Sequence, residues 1–164
     1  MKFLVFLCLF VYNSTTAKLP DINSVRSLLE RAPTEEKACK ELLVMLQPFN
    51  ENNNSLLSGY KASATMIMAK HVFNPFSKLS YFKKGKNIME KAIAADSANI
   101  ELRFLRFSVQ TNIPSFLGYK ENIKNDKNFL LKSLPAIKDL KLKKMIVAFL
   151  STSDYVTDKE KNSL

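Results

Sequence analysis

The stretch NIELRFLRFSVQTNIPSFLGY, residues 99–119, decides how the rest of this chain is organised. Its periodicity predicts a helix whose polar side chains occupy a strip of roughly 60°, with successive residues about 100° apart. These polar residues are Asn99, Arg103, Arg106 and Gln110. Apolar residues cover most of the remaining circumference, whereas a surface helix usually carries one apolar stripe on a polar cylinder. We therefore expect a central helix with its arginines in a groove or against carboxylates of neighbouring helices.

The two arginines of this strip allow two interpretations. In the structural one, they pair with Glu90 and Asp96, which precede the helix. The planar guanidinium group suits such a site because it can bind a carboxylate through two hydrogen bonds. In the functional one, the polar strip is open to a ligand, with Tyr119 in the aromatic turn that follows. Both interpretations remain open at the level of sequence.

A cluster of positive charge precedes the arginine helix. Six lysines and His71 lie between residues 70 and 91, against the single acid Glu90. The lysines we single out as candidate binding residues are Lys83, Lys84 and Lys86. Aromatic residues are interleaved with this charge, namely Phe73, Phe76, Tyr81 and Phe82. Such a surface would suit an anionic polymer, a lipid headgroup or an acidic peptide, and the alternative is a solvated basic face above buried aromatics.

Helical periodicity recurs along the chain from Lys18 onward, and no clear strand pattern is present. The apolar stripes predict six or seven helices, which begin near Asp21, Thr34, Asn54, Phe76, Asn99, Tyr119 and Leu142. We expect one helical domain over residues 18–150, followed by a flexible polar tail over residues 151–164. The fold class is therefore predicted to be all-α.

One part of the chain resembles the second helix of a tetratricopeptide-type repeat. Gly85, Met89 and Ala92 have the spacing of that repeat's small, aromatic and small positions. The turn over residues 95–99 is similar to the Asp-Pro-Asn-Asn turn of the repeat, with Ser97 where proline is usual. The similarity covers about half of one repeat unit of about 34 residues. It implies that the helices pack as antiparallel hairpins in a tetratricopeptide-like or α-solenoid-like bundle.

A second resemblance covers residues 86–129. The elements Leu-Arg-Phe-Leu-Arg, Gln-x-Asn-x-Pro and Phe-Leu-Gly-Tyr occur there in this order. The stretch resembles a group of short, signal-bearing and uncharacterised bacterial proteins of the Bacteroidetes type. That resemblance implies export and a helical fold, and it supplies no catalytic role.

The amino terminus has the pattern of a secretory signal over residues 1–17. Lys2 precedes the apolar run Phe3–Tyr12, and small or polar residues follow as far as Ala17. The apolar run is about half of the roughly 20 residues that a membrane-spanning helix needs. We expect cleavage after Ala17 and export to the periplasm or the extracellular space. A lipoprotein modified at Cys8 is the alternative, although large residues stand before Cys8 where small ones would be required.

The charge of the chain narrows the choice of partners. The formal net charge is +10, which favours anionic partners such as nucleic acid, phospholipid headgroups and acidic proteins. The predicted secretory signal makes nucleic acid the least natural of these. We therefore expect a protein partner or an anionic envelope partner, no nucleic acid and no transmembrane segment. The charge could also serve solubility alone.

Catalytic and metal-binding signals are weak. Beyond residue 17 the chain has one cysteine, Cys39, and one histidine, His71, whereas a zinc site needs several converging ligands. Three dispersed glycines do not form a phosphate-binding loop, so we expect no metal and no cofactor. A packing role for Cys39 and His71 is favoured over a nucleophilic pair. We predict a non-catalytic binding or scaffold protein, with a peripheral envelope protein on anionic lipid and an enzyme of unrecognised type as alternatives.

Overall fold

The computed structural model describes residues 18–164, and every regular element in that range is helical. The all-α prediction is confirmed for this range, and the predicted signal peptide lies outside it. The helices are α1 Ile22–Arg31, α2 Glu36–Met45, α3 Ser55–His71, α4 Pro75–Ala95, α5 Ile100–Asn112, α6 Ile123–Ser133, α7 Leu140–Thr152 and α8 Asp158–Lys161. Short 3-10 turns follow α5 at Ser115–Leu117 and α6 at Leu134–Ala136. None of the helices in the described range is long and apolar enough to cross a bilayer.

Side-chain caps fix where most of the helices begin. An aspartate or asparagine precedes each of α1, α3, α4, α5 and α7, and its side chain accepts hydrogen bonds from backbone N–H groups of the first turn. Thr34, near which we expected α2 to begin, does not cap this helix. Thr34 instead donates its hydroxyl to the Arg31 carbonyl at 3.2 Å, and α2 begins after Glu35.

The start of α6 also differs from the prediction. The helix begins at Ile123 and not at Tyr119, because a 3-10 turn and a left-handed residue intervene. That residue is Gly118, with φ 59°, a backbone conformation that glycine adopts without steric cost. The consequence is that Tyr119 enters the core from a loop, with 0% of its surface exposed.

Helix α5 lies at the centre of the molecule. It contacts α3, α4, α6 and α7, while α3 packs most extensively against α4. Two apolar cores meet on α5: Leu102 and Leu105 belong to the core formed with α1–α4, and Phe104 and Phe107 belong to the core formed with α6 and α7. This position explains why apolar residues surround α5 on most sides.

Glycines allow two close approaches of α3 to its neighbours. A Cβ atom at Gly85 of α4 would lie 2.8 Å from the carbonyl oxygen of Ala62 in α3. A Cβ atom at Gly59 of α3 would lie 2.2 Å from Leu102 Cδ2 in α5. Gly59 and Ala62 of α3 therefore lie where neighbouring helices approach closely.

The packed domain continues past the boundary predicted at residue 150, which lies inside α7. Val156 has 3% of its surface exposed and belongs to the same core as Ile146 and Leu150. Helix α8 starts with a capping box between Thr157 and Glu160. Lys127 of α6 binds Glu160 at 2.9 Å, so the segment predicted as a polar tail is attached to the domain.

Candidate functional site

The polar strip of α5 begins with a residue that serves the helix itself. The Asn99 side chain accepts hydrogen bonds from the N–H groups of Glu101 and Leu102, each at 3.1 Å. Its amide nitrogen donates to the Asp96 carboxylate at 2.9 Å. The expected pairing of Asp96 with the arginines is therefore wrong, since Asp96 holds the turn before α5.

Both arginines of the strip bind a carboxylate on α6 that the sequence reasoning missed. Arg106 donates to Asp126 from Nε at 2.7 Å and from Nη2 at 2.9 Å. Arg103 donates to the same carboxylate from Nη1 at 2.7 Å and to the Ser97 carbonyl from Nε at 2.9 Å. The side chain of Asp126 is 0% exposed. Three charge-assisted hydrogen bonds at a buried carboxylate make this a tight link between α5 and α6.

A second carboxylate extends this network to α4. Arg106 Nη1 binds Glu90 at 2.8 Å, as predicted from the sequence, and the Tyr119 hydroxyl donates to the other oxygen of Glu90. Burial alone would lower the pKa of Arg106, but its carboxylate partners Asp126 and Glu90 more than offset this and raise it. Burial, followed by the bond to Glu90, raises the pKa of Tyr119. Arg106 is thus held in the charged form.

The last residue of the strip lies inside the protein. Gln110 is 0% exposed, and neither its amide oxygen nor its amide nitrogen has a hydrogen-bond partner among residues 18–164. Arg106 is 4% exposed. A ligand in solution therefore cannot reach the inner part of the strip without movement of neighbouring helices.

A second ionic cluster lies at the amino-terminal end of α5. Arg26 of α1 binds Glu101 through Nε at 2.7 Å and Nη2 at 2.8 Å, and it also binds Asp139, the cap of α7, at 2.8 Å. The Tyr60 hydroxyl of α3 donates to Glu101 as well. The bond to Glu101 raises the pKa of Arg26, and burial raises that of Tyr60. This cluster joins α1, α3, α5 and α7, and the sequence reasoning did not identify it.

Cys39 and His71 have packing and anchoring contacts. The Cys39 thiol is 0% exposed, donates to the Ala64 carbonyl at 3.3 Å, and has its pKa raised by burial to about 11. His71 Nε2 lies 2.7 Å from the Ala32 carbonyl oxygen and connects the end of α3 to the end of α1. A buried thiol with a raised pKa is a poor nucleophile. Within the described part of the chain, no three metal-ligating side chains converge.

The lysines singled out in the sequence divide into two groups. Lys86 faces the 115–121 loop, where its ammonium group lies 4.6 Å from the centre of the Tyr119 ring and 3.6 Å from Glu121. Lys83 and Lys84 are exposed and lie beside an open depression along α4. No carboxylate between residues 18 and 164 lies within 4.0 Å of the ammonium group of either one. Of the three lysines, Lys83 and Lys84 therefore carry charge that no nearby carboxylate of the described residues neutralises, whereas Lys86 is paired with Glu121.

We call the surface around this depression the α4 outer face. Its residues are Phe76, Leu79, Ser80, Lys83, Lys84 and Asn87. Phe76 is 84% exposed, and Phe73, which stands just before α4, is 99% exposed. Of the other two aromatics in the cluster, Phe82 is buried and Tyr81 is partly buried. The α4 outer face therefore combines uncompensated positive charge with exposed aromatic surface, and it contains no acidic residue.

Of the eight candidate residues, the structure brings Asn99, Arg103, Arg106, Gln110 and Tyr119 together in and around the buried strip of α5. It places Lys83 and Lys84 elsewhere, on the α4 outer face, with Lys86 between the two groups. The eight candidate residues therefore lie in two separate places and do not share one site. Comparison with protein-family models, curated proteins and solved structures found no match to this chain.

Proposed function

We propose that this chain is an exported, non-catalytic helical binding protein that engages an anionic partner through the α4 outer face. The observation that carries the proposal is the contrast between two sets of cations. Arg103 and Arg106 are neutralised by Asp126 and Glu90 inside the protein. Lys83 and Lys84 are exposed to solvent on the depression that the exposed ring of Phe76 also lines. Export is part of the proposal, because it is inferred from the signal-peptide pattern of residues 1–17, which lie outside the described range.

The pattern of helix contacts supports an α-solenoid-like scaffold for this function. The consecutive pairs α1–α2, α3–α4 and α5–α6 pack together, and the alternate helices α1, α3, α5 and α7 contact one another in succession. A stack of helical hairpins has these two sets of contacts, with one helix of each hairpin in an inner layer. In such a stack α4 belongs to the outer layer, where it exposes a long face to partners.

The chemistry of Cys39 and His71 supports a binding role over a catalytic one. A nucleophilic cysteine needs an accessible thiolate, whereas burial raises the pKa of Cys39 to about 11. The imidazole of His71 is engaged by a main-chain carbonyl at 2.7 Å. In our proposal these two side chains therefore connect helices and take no part in catalysis.

The test of this proposal measures binding of the purified protein to immobilised poly-L-glutamate, with poly-L-lysine as the reference polymer. The variant Lys83→Gln/Lys84→Gln should bind poly-L-glutamate roughly tenfold more weakly, since two exposed charge contacts of about 0.7 kcal/mol each amount to about 1.4 kcal/mol. The matched control is Lys124→Gln/Lys132→Gln, which removes two exposed lysines from α6. Equal weakening in both variants would show a general charge effect and would contradict a site on α4.

A further inference from the structure

We propose that the occupant of the α4 outer face is an anionic membrane surface, into which Phe73 and Phe76 insert while Lys83 and Lys84 bind the headgroups. This inference rests on the function proposed above and adds the identity of the partner. It follows from the shape of the surface, the position of the charge and the way in which the rings are held.

The two rings protrude from the protein. Phe73 is 99% exposed, so its side chain makes almost no contact with its own protein. Phe76 is 84% exposed. Leaving two aromatic side chains in water forgoes the largest apolar burial that single residues offer. A surface that presents both of them at one helix end is suited to an apolar environment outside the protein.

The backbone that carries the rings is firmly fixed. Asn74 caps α4 by accepting hydrogen bonds from the N–H groups of Phe76 at 2.8 Å and Ser77 at 3.3 Å. Pro75 occupies the first position of the helix, where its ring preorganises the backbone. The preceding helix is anchored by the contact of His71 with Ala32. Because the backbone that carries the rings is already fixed, their insertion would require little further ordering of the main chain.

The charge lies where a membrane interface requires it. Lys83 follows Phe76 by seven residues, which is nearly two helical turns, so the two side chains lie on the same side of α4. The rise of an α-helix separates them by about 10 Å along the axis. An amphipathic helix buries its apolar part roughly 5–10 Å into the boundary between headgroups and acyl chains. If α4 stands roughly along the membrane normal with its amino-terminal end inserted, Phe76 at that depth leaves Lys83 and Lys84 among the phosphates.

A membrane fits these features better than a peptide does. Peptides bind in grooves whose aromatic residues form walls and pockets, whereas Phe73 projects from the surface and the depression along α4 lies open to solvent. A bilayer accepts a protruding ring without a matching pocket. Other strongly exposed apolar residues lie on other elements: Phe116 at 86% in the 3-10 turn after α5, Val44 at 76% on α2 and Leu140 at 69% on α7. Single exposed apolar residues occur on most protein surfaces, and Val44 and Leu140 provide controls.

A tryptophan reporter tests the insertion directly. The chain contains no tryptophan, so the variant Phe76→Trp carries a single tryptophan whose emission can be followed. We expect its emission to shift to shorter wavelength, and to be quenched by brominated acyl chains, with phosphatidylcholine vesicles containing one third phosphatidylglycerol. Vesicles of phosphatidylcholine alone should cause neither change. The control Leu140→Trp should not respond to either vesicle, and an equal response of the two reporters would overturn the proposed orientation.

Sedimentation with the same vesicles tests which residues are needed for membrane binding. Lys83→Gln/Lys84→Gln should lower the partition coefficient of the protein between water and vesicles at least tenfold. Each lysine near an anionic surface raises that coefficient about fivefold. Phe73→Ser/Phe76→Ser should lower it by a similar factor, while Val44→Ser/Leu140→Ser should leave it unchanged. Far-UV circular dichroism checks that each variant is folded.

Comparison with the polymer experiment separates this inference from the proposed function. If poly-L-glutamate binds through Lys83 and Lys84 while anionic vesicles do not bind, the membrane inference is wrong and an acidic protein becomes the partner. If neither probe depends on these lysines, the proposed function is wrong as well. Binding to vesicles that is unaffected by Phe73→Ser/Phe76→Ser would contradict insertion of the rings.

Discussion

Arg106 binds Asp126 through two parallel hydrogen bonds, from Nε to Oδ2 at 2.7 Å and from Nη2 to Oδ1 at 2.9 Å. The pair is almost fully enclosed, with 5% of the Arg106 side chain and 0% of the Asp126 side chain exposed. Arg103 binds the same carboxylate, and Glu90 binds Arg106. The network therefore joins α4, α5 and α6, and removing one partner leaves a charge in a place that water cannot reach.

Replacing Arg106 tests the structural role of this network. Arg106→Gln should lower the free energy of unfolding by about 3 kcal/mol, because Asp126 keeps only Arg103 as a cationic partner. Arg106→Lys should lose roughly half as much, since it retains the charge and loses the bidentate geometry. Urea unfolding followed by circular dichroism measures both. Lys132→Gln, an exposed change on α6, is the control, and a stability of Arg106→Gln equal to wild type would contradict the structural assignment.

The Arg26–Glu101 pair should show direct energetic coupling across 75 residues of sequence. In a double-mutant cycle of Arg26→Met and Glu101→Gln, we expect a coupling free energy of about 1–3 kcal/mol, as is usual for residues in one ionic network. The reason is that either single change leaves a charged group with fewer partners at a nearly buried site. Thermal or urea unfolding of the four proteins gives the value. Additivity within about 0.3 kcal/mol would show that the pair contributes no interaction of its own.

Two glycine substitutions should differ in their effect on stability. Gly85→Ala places a Cβ 2.8 Å from a main-chain oxygen of Ala62, which cannot move without shifting α3. It should cost about 1–3 kcal/mol, as overpacking usually does. Gly59→Ala meets only the terminal methyl of Leu102 at 2.2 Å, which can rotate away. Alanine's higher helix propensity, about 1 kcal/mol, offsets much of that strain, so a larger loss at Gly59 than at Gly85 would be evidence against this packing.

Cys39 should make the free energy of unfolding fall as the pH rises in the alkaline range. Burial raises its pKa from 9.0 to about 11. The folded protein therefore keeps a proton that the unfolded chain releases, so this contribution to stability is complete below pH 9.0 and is lost as pH rises towards about 11. Cys39→Ala should flatten the stability profile in that interval. In the native protein the thiol should not react with a disulfide reagent at pH 8, and rapid reaction without unfolding would contradict its burial.

The sequence predicted most of the helices because their signals are local, but the described range has eight helices where six or seven were predicted, and α8 lies in the segment predicted as a flexible tail. Asp21, Asn54 and Asn99 stand before apolar stripes, and each caps the helix expected there. The central position of α5 followed from the number of apolar residues around its circumference. The error at Tyr119 arose because an apolar loop and the first turn of a helix have similar composition.

The contacts between residues that are distant in sequence could not be predicted from local patterns. Asp126 is one polar residue among several on α6, and nothing in its neighbourhood indicates that it is 0% exposed. Arg26 and Glu101 meet only because α1 and α5 both pack against α3. Hydrophobicity alone would place Phe73 in the core, yet it is 99% exposed because α3 ends just before it. The proposed binding surface therefore depends on tertiary packing that local patterns do not encode.

Parallel measurement of melting temperature and poly-L-glutamate binding tests the central claim most directly, namely that lysines of α4 bind the partner while arginines of α5 hold the fold. Lys83→Gln/Lys84→Gln should keep the melting temperature and lose roughly tenfold in affinity. Arg103→Gln should melt about 4 °C lower, since it loses its bond to Asp126 of roughly 1 kcal/mol, and should bind as wild type does. Normal melting with lost binding in Arg103→Gln, together with normal binding in the lysine variant, would instead assign the site to the arginine strip.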